Sequence, residues 1–363
     1  MSFRSLVLLV AGLVLAASFV VGAVYFQRGL SQYGEATAVR AVETRGQSLS
    51  AFLSRMLYEE WRSVDAFARK LDPAAEPASL RLALEALNDG TDKVSWAGIA
   101  RVDGTVLAAS RGLLEGYDVS SRPWFQRGLA GPFAGDVHEA VLLERLLNAG
   151  GSEPLRFIDY AIPIHDRDGA LFGVLGVHLN WKWVTELMQE GAERLHVDAF
   201  LVSRGEALLL ATVDGDAKVS GLPSFQAAKL GASGSFLEEW PDGGTYFSYV
   251  VPEIGYKDLP RFGWSLIVRL DPSLVTGPGR DFTRIMLGGG LVVFIGTLLV
   301  LALATRLIFR PLASRIDAVS RLSRGEDVGY VPEASQYREA RDLSNAIARL
   351  QASATVRRRP PAA

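Results

Sequence analysis

Between residues 117 and 137 the chain reads YDVSSRPWFQRGLAGPFAGDV, a stretch that concentrates side chains able to bind a small molecule. Arg122 offers a planar guanidinium that can pair in forked geometry with a carboxylate or similar anion. Trp124 and Phe125 supply stacking walls, Tyr117 a hydroxyl and Asp136 a charge, and the glycines at 128, 131 and 135 let backbone approach a ligand closely. Each has a plainer use. Arg122 can pair internally with Asp118, Asp136 or Asp159, and an aromatic taken singly is more often core than ligand contact.

Other chemistry is not written in short motifs. The chain has 4 His and 0 Cys, and after His138-Glu139 it has Leu142 where the helical His-Glu-x-x-His zinc pattern needs its second imidazole, so no metal site and no cofactor are expected. No Gly-rich phosphate loop leads to a Lys and no Gly-x-Ser-x-Gly elbow occurs, so no enzymatic activity is expected. A net charge of −2, with Arg357-Arg358-Arg359 as the only basic run, gives no sign of nucleic-acid binding.

The elements around this stretch follow from hydropathy and periodicity. Leu6–Phe26 and Ile285–Thr305 are each 21 residues without a charge, enough to cross a hydrocarbon layer about 30 Å thick as helices. The first is longer than the apolar region of a cleaved signal peptide, about 7–15 residues, and reads as a retained anchor. Arg4 precedes it, and Arg306, Arg310 and Arg315 follow the second, which puts both termini in the cytoplasm and the intervening segment outside. Without cysteines, that segment must be held by its own core.

Within it, residues 29–71 contain no proline, and Leu57, Trp61, Val64, Ala68 and Leu71 recur at helical spacing. This predicts a stalk helix whose stripe packs on its own domain, on a second copy, or on both. A shorter helix follows at 80–87. Residues 94–110 alternate around Asp103-Gly104 as a hairpin, and a second hairpin turns at Asp168-Gly169, with Phe157, Asp159 and Ala161 alternating with Ile158, Tyr160 and Ile162. The 117–137 stretch reads as a loop between them. A helix at 181–195 leads to a reduced repeat: strands near 199–204 and 207–213, a hairpin near 231–251 and a last strand in FGWSLIVRL. The class predicted is α+β, two tandem lobes with antiparallel sheets. Beyond the second span, Leu312, Ile316 and Val319, then Leu343, Ile347 and Leu350, form two short seams separated by Gly325 and Pro332, a pair of helices that ask for a bundle made by two chains.

The motif DVSSRPWFQRGLAGPFAGDV, with its flanking strand pairs, resembles the pocket region of double Cache sensor domains, tandem PAS-like lobes on a stalk helix in bacterial membrane receptors. GDVHEAVLLERLL, EPLRFIDYAIPI and GVLGVHLNWKW are most similar to sensors fused to diguanylate cyclases, and RPLASRIDAVSRLSRGEDV with EARDLSNAIARL resembles the two helices of a HAMP relay, including Pro311, Gly325 and Glu339. The resemblance implies a cytoplasmic start at 1–5, a span at 6–26 and a periplasmic sensor at 27–283, its distal lobe about 72–180 and proximal lobe about 197–271. A second span at 284–308, a HAMP-like module at 309–352 and a disordered tail at 353–363 would complete the chain. It implies a ligand site of Tyr117, Arg122, Trp124, Phe125, Asp136, Asp159 and His178. Cache receptors for amino acids carry an Asp near the end of the last distal strand and an earlier Tyr-x-Asp element; here His178 and VHEAVLLERLL stand in those places, which argues against an α-amino-acid ligand unless Asp159 or Asp136 substitutes, since imidazole lacks the fixed negative charge an ammonium needs.

The function expected is therefore a homodimeric receptor in a lipid bilayer that senses a small, anionic molecule and relays the signal to a separate cytoplasmic protein. No cyclase, kinase or chemotaxis signature follows residue 350, which leaves open a remnant or split sensor half of a diguanylate cyclase. A periplasmic scaffold is the third reading, favoured if Trp124 fills the distal cavity.

Overall fold

The computed structural model of the chain describes residues 3–357 except 89–92, 141–142, 144–145, 148–153, 206–207, 214–218, 325, 327 and 329–337. Two compact units result: Tyr33–Gly277, and Met1–Gln32 together with Pro278–Ala363.

The first unit is α+β. The stalk belongs to α1 (Phe3–Lys70), one continuous helix in which the proline-free stretch and the first apolar run are a single element. Its inward stripe runs from Ala38 and Val42 through Leu49, Leu53, Leu57, Trp61 and Val64 to Ala68, all buried. The stripe that could have been a seam between copies is thus occupied by the chain's own two sheets. Gly46 makes part of this possible, because a Cβ there would lie 2.7 Å from Val268 and 2.9 Å from Tyr249.

After α2 (Pro77–Asn88) come β1 (Val94–Arg101) and β2 (Val106–Ala109), with Gly104 at the turn with φ 89°. Then follow α3 (Pro123–Ala130), β3 (Phe133–Glu139), β4 (Arg156–His165), β5 (Leu171–Asn180) and α4 (Trp181–Leu195). The sheet order is β2-β1-β5-β4-β3, all antiparallel. The stretch expected to be a loop is therefore a helix and an edge strand. Pro123 sits in the first helical turn, where its missing N–H costs nothing, and Gly131 ends the helix.

The second lobe repeats the plan with β6 (Asp198–Ser203), β7 (Leu208–Ala211), α5 (Pro223–Lys229), β8 (Gly234–Glu239), β9 (Thr245–Val251) and β10 (Trp264–Leu270), in the order β7-β6-β10-β9-β8. The two sheets give the tandem α+β architecture that alternation and turn chemistry predict. Strand periodicity sorts the distal sheet: Ile158, Tyr160 and Ile162 face α1, where the Tyr160 hydroxyl donates to the Leu57 carbonyl at 2.8 Å, while Phe157 and Ala161 face α3.

The second unit is helical. The N-terminal part of α1 and the apolar part of α6 (Ser273–Ser323) are each long and apolar enough to cross a membrane. Phe19 meets Phe294 at a ring separation of 5.3 Å, and Phe26 meets Phe282 at 6.3 Å. Farther along, α6 packs on α7 (Arg338–Arg357): the Arg315 guanidinium donates to Ser344 Oγ at 2.9 Å, and Ala318 and Ile347 are buried. Gly325 and Pro332, expected to break the chain here, lie outside the described residues; helix continues to Arg357, so the tail expected to be disordered from 353 is ordered for five residues more.

Candidate functional site

A cavity of about 340 Å³ opens on the α3 side of the distal sheet. Its floor is one row of paired residues across four strands: Trp96 on β1 opposite His178 on β5, His178 opposite Asp159 on β4, and Asp159 opposite Gly135 on β3. Because side chains alternate along strands, a shared row means a shared face, here the pocket face. His178 and Asp159 are 5% exposed each, and the His178 Nδ1 and Asp159 Oδ1 atoms are hydrogen-bonded. A carboxylate this deep requires such a partner. Gly135 gives it room, since a Cβ there would lie 3.0 Å from the Asp159 Cβ.

A further polar member comes from an irregularity. Gly135 pairs with Asp159, yet His138 pairs with Phe157: three steps on β3 match two on β4. This bulge brings His138 onto the pocket face, where in a regular ladder Val137 would stand. His138 Nε2 lies 3.6 Å from Asp159 Oδ1, and His138 Nδ1 faces the carbonyl of Asp136 at 3.2 Å.

Aromatic rings enclose the row. The His178 ring is 5.1 Å from that of Trp96, 5.8 Å from Phe157 and 6.2 Å from Trp124. Trp124 lies close over β5 because Gly176 has no side chain; a Cβ there would stand 2.5 Å from the indole. Trp124 walls the cavity without filling it.

At the mouth stand Tyr117, Asp118, Arg122 and Glu139. Arg122 is at the N-terminal end of α3, and among the described residues no carboxylate pairs with it. Its three internal candidates are engaged elsewhere: Asp118 accepts from the Ser120 N–H at 2.8 Å, Asp136 from the Trp264 indole at 2.6 Å, and Asp159 from His178. The Ser120 N–H holds the Asp118 carboxyl below the usual aspartate range. The segment before the mouth is pinned by Glu115, which takes Arg81 at 2.9 and 2.5 Å and the Ala109 N–H at 3.0 Å, and the Arg81 hydrogen bond draws its carboxyl below the usual glutamate range.

Of the seven residues read from sequence as the ligand set, the fold brings Tyr117, Arg122, Trp124, Asp136, Asp159 and His178 around one cavity. Phe125 is not among the lining residues. It is 2% exposed, on the apolar side of α3 with Ala161 and Val174. A signal for this lies in the sequence: V-S-x-x-P-x-F-Q-x-x-x-x-G occurs at 119–131 and again, one hundred residues on, at 219–231. Phe125 and its counterpart Phe225 are both buried, and Gln126 and Gln226 bind the carbonyls of Ser120 and Ser220 at 3.1 and 2.6 Å. These belong to a shared scaffold. What differs is Arg122 and Trp124 against Leu222 and Ser224, and the second lobe closes the corresponding face with Phe200, Trp240, Val250 and Ile267. His138, Glu139 and Trp96 were missed as pocket residues, since only the bulge and the cross-strand row put them there.

The second lobe has a more open cavity of about 530 Å³, lined by Arg269, but that guanidinium is already held by Asp198 and Asp242, each at 2.8 Å, and stacks on Tyr246 and Trp240. Its charge is matched by its own neighbours, unlike that of Arg122.

No family model matches the chain, and no curated protein matches it. Solved structures are similar to it. One is an extracellular ligand binding receptor from Desulfohalobium retbaense, 15% identical, TM-score 0.47, covering 63% of this chain and 39% of that one. Another is the ligand binding domain of the Pseudomonas aeruginosa PAO1 amino acid chemoreceptor PctB in complex with L-Arg, 17% identical, TM-score 0.48, covering 67% and 91%. A third is the ligand-binding domain of the Campylobacter jejuni chemoreceptor Tlp3 in complex with L-norvaline, 15% identical, TM-score 0.45, covering 65% and 94%. The chain thus spans about two fifths of the first and nearly all of the other two.

Proposed function

We propose that the chain is a two-pass membrane receptor whose distal cavity binds a small molecule outside the membrane, and whose paired cytoplasmic helices act as a HAMP-like relay, within a homodimer, to a separate signalling protein. The observation that carries this reading is the cavity itself: about 340 Å³ of open space, lined by an aromatic cage, with a guanidinium at its mouth that no described carboxylate neutralises. Arg269 in the second lobe is buried and already held by Asp198 and Asp242, whereas Arg122 stands exposed at the cavity mouth where an anion can reach it.

A physical link supports coupling to the membrane. The Trp264 indole donates to Asp136 Oδ1 at 2.6 Å, tying the β3 bulge beside the cavity to β10, and β10 runs directly into α6, the second apolar helix. A ligand that shifts the bulge thereby acts on the strand that leads into the span, provided it binds one arrangement of that joint better than the other.

The test is a thermal-shift screen of the full chain in detergent, with and without a chelator, against small carboxylates, phosphates and amines. A compound at a hundredfold excess over its Kd stabilises by about 2.7 kcal/mol, a rise of roughly 5–10 °C for a unit of this size. Arg122→Ala should abolish the rise for the compound found. Absence of any response across the panel, or a response that survives Arg122→Ala intact, would overturn the reading.

A further inference from the structure

The cavity's charge points away from a purely anionic ligand. Asp118, Asp136, Glu139 and Asp159 supply four carboxylates against the single guanidinium of Arg122, and two imidazoles accompany them. Among the described residues one group offers a ligand set for a metal: His138, Asp159 and His178, whose donor atoms all lie within 4.8 Å of one another. We propose that this cavity holds a divalent transition-metal ion of the zinc class on His138, Asp159 and His178, with a free coordination position facing the cavity where a water or the sensed molecule binds.

Four observations carry it. Imidazole and carboxylate are the donors such ions prefer after thiolate, and three protein ligands with one open position is the arrangement of zinc sites that exchange a fourth ligand. The 3.6 Å between His138 Nε2 and Asp159 Oδ1 is close to the roughly 3.4 Å that two ligands of one tetrahedral ion subtend at bonds of about 2.1 Å. His138 already has the outer support of a metal-binding histidine. With a proton on Nδ1 directed at the Asp136 carbonyl 3.2 Å away, the Nε2 lone pair is left facing the cavity. Finally, His178 and Asp159 are buried in an aromatic surround that water does not dilute, so their lone pairs have few competitors; without the ion, the proton of their hydrogen bond holds the two together.

The three ligands come from three strands, β3, β4 and β5, so no short spacing motif records them. The bulge at Asp136 and Val137 is what turns the second imidazole, that of His138, inward. This inference rests on the distal cavity being a ligand site, and it gives that site its ligand class: the ion itself, or a small carboxylate bound through it with Arg122 as the second anchor.

The experiment uses the untagged full chain in detergent, stripped with a chelator and titrated with Zn²⁺ by calorimetry and with Co²⁺ by visible absorption. One ion per chain is expected, with the intensified Co²⁺ bands of a low-coordinate site. His138→Ala, at a partly exposed position outside the packed core, should weaken binding at least tenfold. Asp159→Asn and His178→Ala should do the same, with far-ultraviolet circular dichroism reporting whether each folds. The double variant His165→Ala with His196→Ala removes the two histidines outside the cavity and should bind as the wild type does. No binding, or binding lost in that double variant and kept in His138→Ala, overturns the proposal. A small-molecule response in chelator with no metal binding would sink this inference alone and leave the receptor reading standing. Metal binding without any small-molecule response, in chelator or with the ion bound, would sink the small-molecule reading and leave the ion itself as the ligand of the site.

Discussion

At the residue scale, the pocket depends on which charges the fold leaves matched. Asp118, Asp136 and Asp159 each have a hydrogen-bond donor of their own, and Arg122 is left to the cavity. Glu115 works beside it, fastening the segment before the mouth to β2 and to Arg81 on α2. Because the Arg81 hydrogen bond lowers the Glu115 carboxyl, the stabilisation it gives is complete above the ordinary glutamate value of about 4.3 and is lost as the pH falls through the lower folded value. Glu115→Gln should therefore melt below the wild type at pH 7, and the difference should shrink once the pH is taken below the ordinary glutamate value of about 4.3. Melting curves taken on both sides of that value check this; a gap that widens in acid would contradict the assignment.

At the element scale, small residues decide how closely α3 can lie on the sheet. A Cβ at Gly176 would stand 2.5 Å from the Trp124 indole, and one at Gly128 would stand 2.5 Å from Val174. Neither the strand backbone nor a packed indole yields easily, so Gly176→Ala should destabilise by roughly 1–3 kcal/mol, a fall in Tm of about 2–4 °C for each kcal/mol. The displaced indole can only move toward the cavity, so ligand response should fall along with stability. A variant with wild-type Tm would show that α3 is not seated as described. The same scale explains the reading of 117–137 as a loop: glycines and a proline are turn signals, but here the proline opens α3 and the glycines supply close contacts, a distinction that only the neighbouring strands make.

For the whole molecule, the question is how the helices beyond the second span are completed. In α6 and α7, the inward positions are Arg315, Ala318, Ser344 and Ile347, while Ile316 and Leu350 are 59% and 57% exposed. Ile316, a seam residue read from sequence, is thus largely exposed among the described residues, as expected if a second copy covers it. Since the chain has 0 cysteines, Ile316→Cys introduces the only thiol. Mild oxidation in membranes should convert most of it to a disulfide-linked dimer, and gel migration without reductant measures this. A chain that stays monomeric while the thiol remains accessible to alkylation would remove the support for a homodimer.

The sequence by itself determined the two apolar runs, the stalk stripe, both hairpins with their Asp-Gly turns and the tandem α+β plan, because these depend on periodicity and turn chemistry within a dozen residues. It also held the repeat that separates Phe125, a scaffold residue, from Arg122 and Trp124. Tertiary structure alone decided that Trp96, His178, Asp159 and Gly135 form one row, that a bulge turns His138 into it, and that Asp136 reaches across to Trp264. Register between strands is fixed by the packing of whole sheet faces, so a single residue gained on β3 changes which side chain meets the cavity without leaving a mark in local sequence pattern.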